Sequence, residues 1–157
     1  MPTDALTTET IFLRLAVAML AGILLGLDRH IKNKPGDFRT FGIVSVASAL
    51  LALLSLQLFL DFDVGQDKVN LDPGRIIQGI LTGIGFLGAG VILHRDRDVI
   101  GTATGGTIWA TGALGLAIGF GYFKMAFAAF IMLFFMLTVL GYLIPNIDDD
   151  TKPKKKQ

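Results

Sequence analysis

The chain has 157 residues, 52% of them hydrophobic, with a mean hydropathy of +0.62 and a formal net charge of +1. There is no cysteine, which excludes disulfides, thiol nucleophiles and zinc–thiolate sites. Crossing a bilayer takes about 20 apolar residues, and five runs near that length leave almost nothing for a separate folded domain.

Residues 1–10 read as an extracytoplasmic tail. Asp4 and Glu9 are its only charges, so the basic region of a cleaved signal is missing and the first span is expected to stay as an anchor. That span covers 11–27 and contains Arg14. An ionisable residue inside a span marks a functional site by default; the alternative is a side chain that snorkels to the interface one turn away. The loop from Asp28 to Thr40 is the densest polar cluster, turned at Pro35-Gly36. The second span, 41–60, has only Ser45, Ser48, Ser55 and Gln57 as polar members.

The loop after it places Asp61, Asp63, Asp67 and Asp72 at positions 1, 3, 7 and 12 of a calcium-loop count. Position 6, where such a loop requires glycine, holds Gln66, and the last acid is not a bidentate glutamate. It reads as a solvated acidic loop, and no metal site is assigned. Asp72 as N-cap and Pro73 at the first helical position start the third helix.

The third span, 76–93, holds the glycine-dense run Gly79-Ile-Leu-Thr-Gly-Ile-Gly-Phe-Leu-Gly-Ala-Gly-Val-Ile-Leu93. In a soluble helix each interior glycine costs about 1 kcal/mol relative to alanine. Membrane helices instead associate by close backbone packing, which favours small residues four apart. Gly22/Gly26, Gly79/Gly83, Gly101/Gly105 and Gly115/Gly119 have that spacing. Spans three and four are expected to pack through Gly83, Gly88, Gly105 and Gly112, either within one chain or across a dimer. The run lacks the lysine and preceding strand of a phosphate loop, so no nucleotide site is assigned.

After the charged knot His94–Asp98 comes the fourth span, 102–121, where Gly105-Gly106 and the threonines could make a broken or re-entrant segment. Thr104, Thr107 and Thr111 share one helical face, either packed or lining a small polar cavity. Trp109 lies deeper than an interfacial belt requires, which points to packing or a partner contact. Tyr122–Lys124 leaves room only for a tight hairpin before the fifth span, 125–144, and residues 145–157 read as a disordered cytoplasmic tail.

Basic residues divide unevenly between the two sides. Arg29, Lys32, Lys34, Arg39, Arg95, Arg97, Lys152, Lys154, Lys155 and Lys156 fall on one, and Lys68, Arg75 and Lys124 on the other. The positive-inside rule then puts the N-terminus outside and the C-terminus in the cytoplasm.

Four blocks of the sequence resemble the membrane domain of bacterial MgtC/SapB proteins. They are Gly26-Leu-Asp-Arg29, Phe38-Arg-Thr40, Asp72-Pro-Gly-Arg-Ile76 with Gly83-Ile-Gly-Phe-Leu-Gly-Ala-Gly-Val-Ile92, and Thr104-Gly-Gly-Thr-Ile-Trp-Ala110. The resemblance runs from about Leu13 to Ile144. It implies an inner-membrane protein of four or five helices, linked to low-magnesium or acid stress and, in some pathogens, to virulence. Asp28 stands where the family usually has Glu, which keeps the carboxylate. Ala110 and Ala103 stand where virulence-associated members tend to have Cys and Asn, so the resemblance implies the fold more firmly than the virulence role. Many members add a cytoplasmic C-terminal domain, where this chain continues as a short tail.

The expectation is therefore an all-α polytopic bundle of five helices. Asp28, Arg29, Arg39 and Thr40 should form an ion-pair cluster that clamps two helix ends, or a patch for a partner protein or anionic group. Asp28 is expected to neutralise Arg29 or Arg39, whereas Asp96 should be solvated. Asp72, Arg75, Thr104, Thr107 and Trp109 complete the partner- or ligand-binding candidates. Histidine is the side chain that ordinarily changes charge near neutral pH, and His30 and His94 give a two-residue basis for pH sensing. No serine–histidine–acid or paired-carboxylate set lies at one depth, so no enzyme and no cofactor are expected. The expected partners are the bilayer, a membrane protein and further copies of the chain, with no nucleic acid. The leading function is modulation of membrane partners or of the magnesium and acid response; the alternative is a small oligomeric ion channel or transporter.

Overall fold

Thr7 starts the first helix by accepting the Thr10 amide on its hydroxyl at 3.3 Å, with Glu9 in the first turn, where negative charge meets the positive end of the helix dipole. The computed structural model describes residues 6–32, 34, 36–63, 72–95 and 98–140. The helices are α1 (Thr8–Ile31), α2 (Phe38–Asp63), α3 (Pro73–Gly90), α4 (Thr102–Gly119) and α5 (Phe123–Phe135). The last widens into a π-helical turn over Met136–Leu140. An antiparallel hairpin of β1 (Leu93–Arg95) and β2 (Asp98–Ile100) joins α3 to α4, pairing Leu93 with Ile100 and His94 with Val99.

At 1.5 Å per residue, the 24 residues of α1 and 26 of α2 extend about 36 and 39 Å, and the 18 of α3 and of α4 about 27 Å. α1 and α2 are long and apolar enough to cross a membrane. Large apolar side chains, among them Phe12, Phe86, Phe127 and Met132, stand exposed along the helices.

α4 is the central helix and touches α1, α2, α3 and α5. Its glycines explain how. A Cβ on Gly119 would lie 2.5 Å from the Ala49 carbonyl, and one on Gly115 would run into that of Ser45, so α2 and α4 meet backbone to backbone. Gly88 and Gly105 oppose each other in the same way between α3 and α4, and Gly112 receives Ile84. Gly83, by contrast, has nothing within 4 Å because it faces away from α4. Ala18, Leu25, Ala49, Leu114, Ile118 and Ala126 form one core cluster, and Phe41, Val44, Ile84 and Ile108 another.

The buried hydroxyls mostly satisfy their own helices. Ser48, Ser55, Thr107 and Thr111 each donate to the carbonyl four residues back, at 2.7–2.8 Å. α4 thus carries three buried threonines on one face, of which Thr107 and Thr111 bond their own helix.

Several boundaries differ from the expectation. α1 runs past Leu27 to Ile31, so Asp28 and Arg29 are helical and buried, not loop residues. Packing against α4 and α5 keeps this polar turn wound. Phe38–Thr40 likewise form the first turn of α2, begun by Asp37, whose carboxylate accepts the Arg39 amide at 3.2 Å. Asp61 belongs to α2 and accepts from Gln57 at 2.7 Å. α4 is one unbroken helix, in which Gly105, Gly115 and Gly119 lie against neighbouring backbone. The connection after α3 is a β-hairpin in which Val99 and Ile100 supply β-branched residues. Asp67 of the acidic loop, Asp96, residues 141–144 of the fifth span and the tail lie outside the described residues.

Candidate functional site

Asp28 and Arg29 are adjacent on the last turn of α1, about 100° apart around the helix, and therefore face different neighbours. Both are buried, at 8% and 2% exposure. Asp28 turns toward the end of α5. Lys32, one turn on, brings its Nζ to 2.9 Å from Asp28 Oδ1 and 3.1 Å from Oδ2, and Thr138 Oγ1 donates to Oδ1 at 3.1 Å. The same ammonium also donates to the Leu137 carbonyl. A π-helical turn departs from the regular ladder, and it presents Thr138 and Leu137 together to α1. The far end of α5 is thus tied to α1 by one carboxylate and one ammonium.

Arg29 turns toward α4. Its Nη2 donates to Thr104 Oγ1 at 3.3 Å, while Nε has no acceptor among the described residues. The carbonyl end of α1 favours a cation here. The following chain covers this side: Lys34 N donates to the Arg29 carbonyl at 3.0 Å, and Gly36, at φ +102°, lies over the Thr104 methyl. A Cβ on Gly36 would be 3.1 Å from that methyl and 3.3 Å from the Phe41 ring.

In place of the expected pairing of Asp28 with Arg29 or Arg39 there are two separate contacts, Asp28 with Lys32 and Thr138, and Arg29 with Thr104. Arg39 is exposed, 3.8 Å from Asp37 and over the Phe38 ring, and Thr40 is exposed beside it. Neither reaches Asp28, whose partners are Lys32 and Thr138. The i, i+4 spacing of Asp28 and Lys32 was the available sign of that pair; no local signal links either to Thr138, 110 positions away. Thr104 accepts from Arg29, while Thr107 bonds its own helix and Trp109 is 46% exposed near Gly85. His30 packs edge-on against Phe38.

Asp72 and Arg75 sit at the opposite end of the bundle. Asp72 caps α3 by accepting the Gly74 amide at 2.8 Å and lies 3.8 Å from Arg75, both of them exposed. Arg14 is at that end too. Its Nη1 donates to the Gly119 carbonyl at 2.7 Å, and Gly121 packs on the guanidinium, so the side chain closes the α4–α5 turn. An apolar cavity of about 320 Å³ opens nearby, lined by Leu6, Leu56, Leu60, Ile77, Phe120 and Tyr122 among others.

The sequence that builds this geometry is similar to known ones. A model of the MgtC family matches residues 15–144. SapB of Bacillus subtilis is 36% identical over 146 residues, covering 92% of this chain and 62% of SapB. YhiD of Escherichia coli K12 is 35% identical over 136 residues, 87% of this chain and 63% of YhiD. MgtC of Salmonella typhimurium is 37% identical over 121 residues, 77% of this chain and 48% of MgtC. The chain thus spans between about half and just under two thirds of the length of these relatives. No solved structure matches it. With helices of spanning length and bacterial relatives along nearly its whole extent, the chain is a bacterial membrane protein and belongs to the MgtC family.

Proposed function

We propose that this chain is a non-enzymatic protein of the bacterial inner membrane that modulates partner membrane proteins or the response to magnesium limitation and acid stress. Family membership supports the setting. The observation that carries the interaction reading is the filled centre of the bundle. α4 meets α2 and α3 through glycine backbones, and the hydroxyls of Thr107 and Thr111 are spent on their own helix. Chemistry directed outward then falls to the polar end around Asp28 and to the exposed apolar faces.

The second reading is an oligomeric ion transporter, favoured by the name of the relative YhiD, which proposes magnesium transport for that protein. Purified chain in proteoliposomes loaded with a magnesium-sensitive dye separates the two. The expected result is no flux above protein-free vesicles. Flux that scales with protein and disappears in Arg29→Gln would move the assignment to transport.

A further inference from the structure

The first turn of α4 faces a charge of the wrong sign. A helix N-terminus carries roughly half a positive charge and presents free amides, and α4 begins at Gly101, in the left-handed region at φ 89°, with no side-chain cap. An aspartate or serine is what usually satisfies these amides. Instead, the group that reaches this turn is the guanidinium of Arg29, only 2% exposed and bonded to Thr104 Oγ1 at 3.3 Å. Among the described residues its Nε has no acceptor and no carboxylate pairs with it, since Asp28 is engaged by Lys32 and Thr138. Among the described residues, a buried cation and the positive end of a helix thus share one place with no carboxylate between them. Unpaired buried charge is costly, and the arrangement is stable electrostatically once an anion accepts from both.

We propose that the first turn of α4, with the Thr104 hydroxyl and the Arg29 guanidinium, is a binding site for a phosphate group. Backbone amides at a helix N-terminus, a hydroxyl and a forked guanidinium are a complementary donor set for phosphate oxygens. Gly101 is part of the fit: a Cβ there would stand 2.5 Å from the Val91 carbonyl, so the turn stays close to α3 and free of side-chain bulk. Thr102, next along, is exposed, so the start of the turn reaches the surface. The phosphate can come from a phospholipid headgroup or from free phosphate in solution. The inference stands apart from the partner-modulation reading, since either result of the flux assay leaves it intact.

The test uses the full chain in detergent, followed by thermal unfolding with two probes: inorganic phosphate against chloride at equal ionic strength, and short-chain phosphatidylglycerol against the same weight of a neutral glycoside detergent. At a concentration about 100-fold above the Kd, binding should raise Tm by about 5 °C or more. A rise with inorganic phosphate assigns a soluble source, and a rise with the lipid alone assigns a headgroup. Arg29→Gln should abolish the rise. Thr104→Val, which keeps the shape and the cation, should reduce the apparent affinity at least about tenfold and serves where Arg29→Gln does not fold, while exposed Arg39→Gln should respond as wild type. No rise with either probe, a rise equalled by the chloride or detergent control, or an undiminished rise in Thr104→Val would overturn the assignment.

Discussion

At the scale of single residues, the polar turn of α1 shows how a charge is judged by its partners. Asp28 holds an ammonium and a hydroxyl from two different elements while almost fully buried. Removing one member of a buried pair costs about 3–5 kcal/mol and an exposed pair is worth under about 1. Lys32 keeps a quarter of its side chain exposed, which places the pair between those limits. Asp28→Asn should therefore cost about 2 kcal/mol in detergent unfolding. Asp37→Asn, whose pair with Arg39 is exposed at 3.8 Å, should cost well under about 1 kcal/mol. Equal small losses in both would show that the tie between α1 and α5 carries no stability.

At the scale of elements, the glycines separate into two kinds that look alike in sequence. Gly105 must be small, since a Cβ there would stand 2.6 Å from the Gly88 carbonyl, backbone that cannot step aside cheaply. Gly83 carries the same spacing signature and meets nothing within 4 Å. Gly105→Ala should lose about 1–3 kcal/mol to overpacking, and Gly83→Ala should be neutral or slightly stabilising because alanine is the better helix former. Melting curves of the purified variants read this directly. Loss at Gly83 equal to that at Gly105 would mean that the face of α3 holding Gly83 is also packed, against something outside the single chain.

At the scale of the whole molecule, five helices alternate in direction, so the ends holding Asp28 and Arg14 lie on opposite sides of the bundle. The ten-to-three division of basic residues favours the Asp28 side as cytoplasmic, with the N-terminus outside. Reporter fusions following Asp148 should be active in cytoplasmic form and silent in periplasmic form, with the reverse pattern at Asp61. Periplasmic activity at Asp148 would reverse the orientation or change the number of crossings.

Some of this was determined by the sequence alone. Apolar runs placed all five helices to within a few residues at their described ends, Asp72-Pro73 marked the start of α3, and four-residue glycine spacing pointed to close helix contact. These are local properties, set by hydropathy, capping and the size of one side chain. The tertiary structure decided which glycines meet a neighbour, that the end of α1 winds on through Asp28 and Arg29, and that Asp28 takes Lys32 and Thr138 while Arg29 takes Thr104. Those outcomes depend on chain segments 75 and 110 positions apart arriving at one place. Burial then fixes which polar pairs must form, and no periodicity within a single helix encodes that.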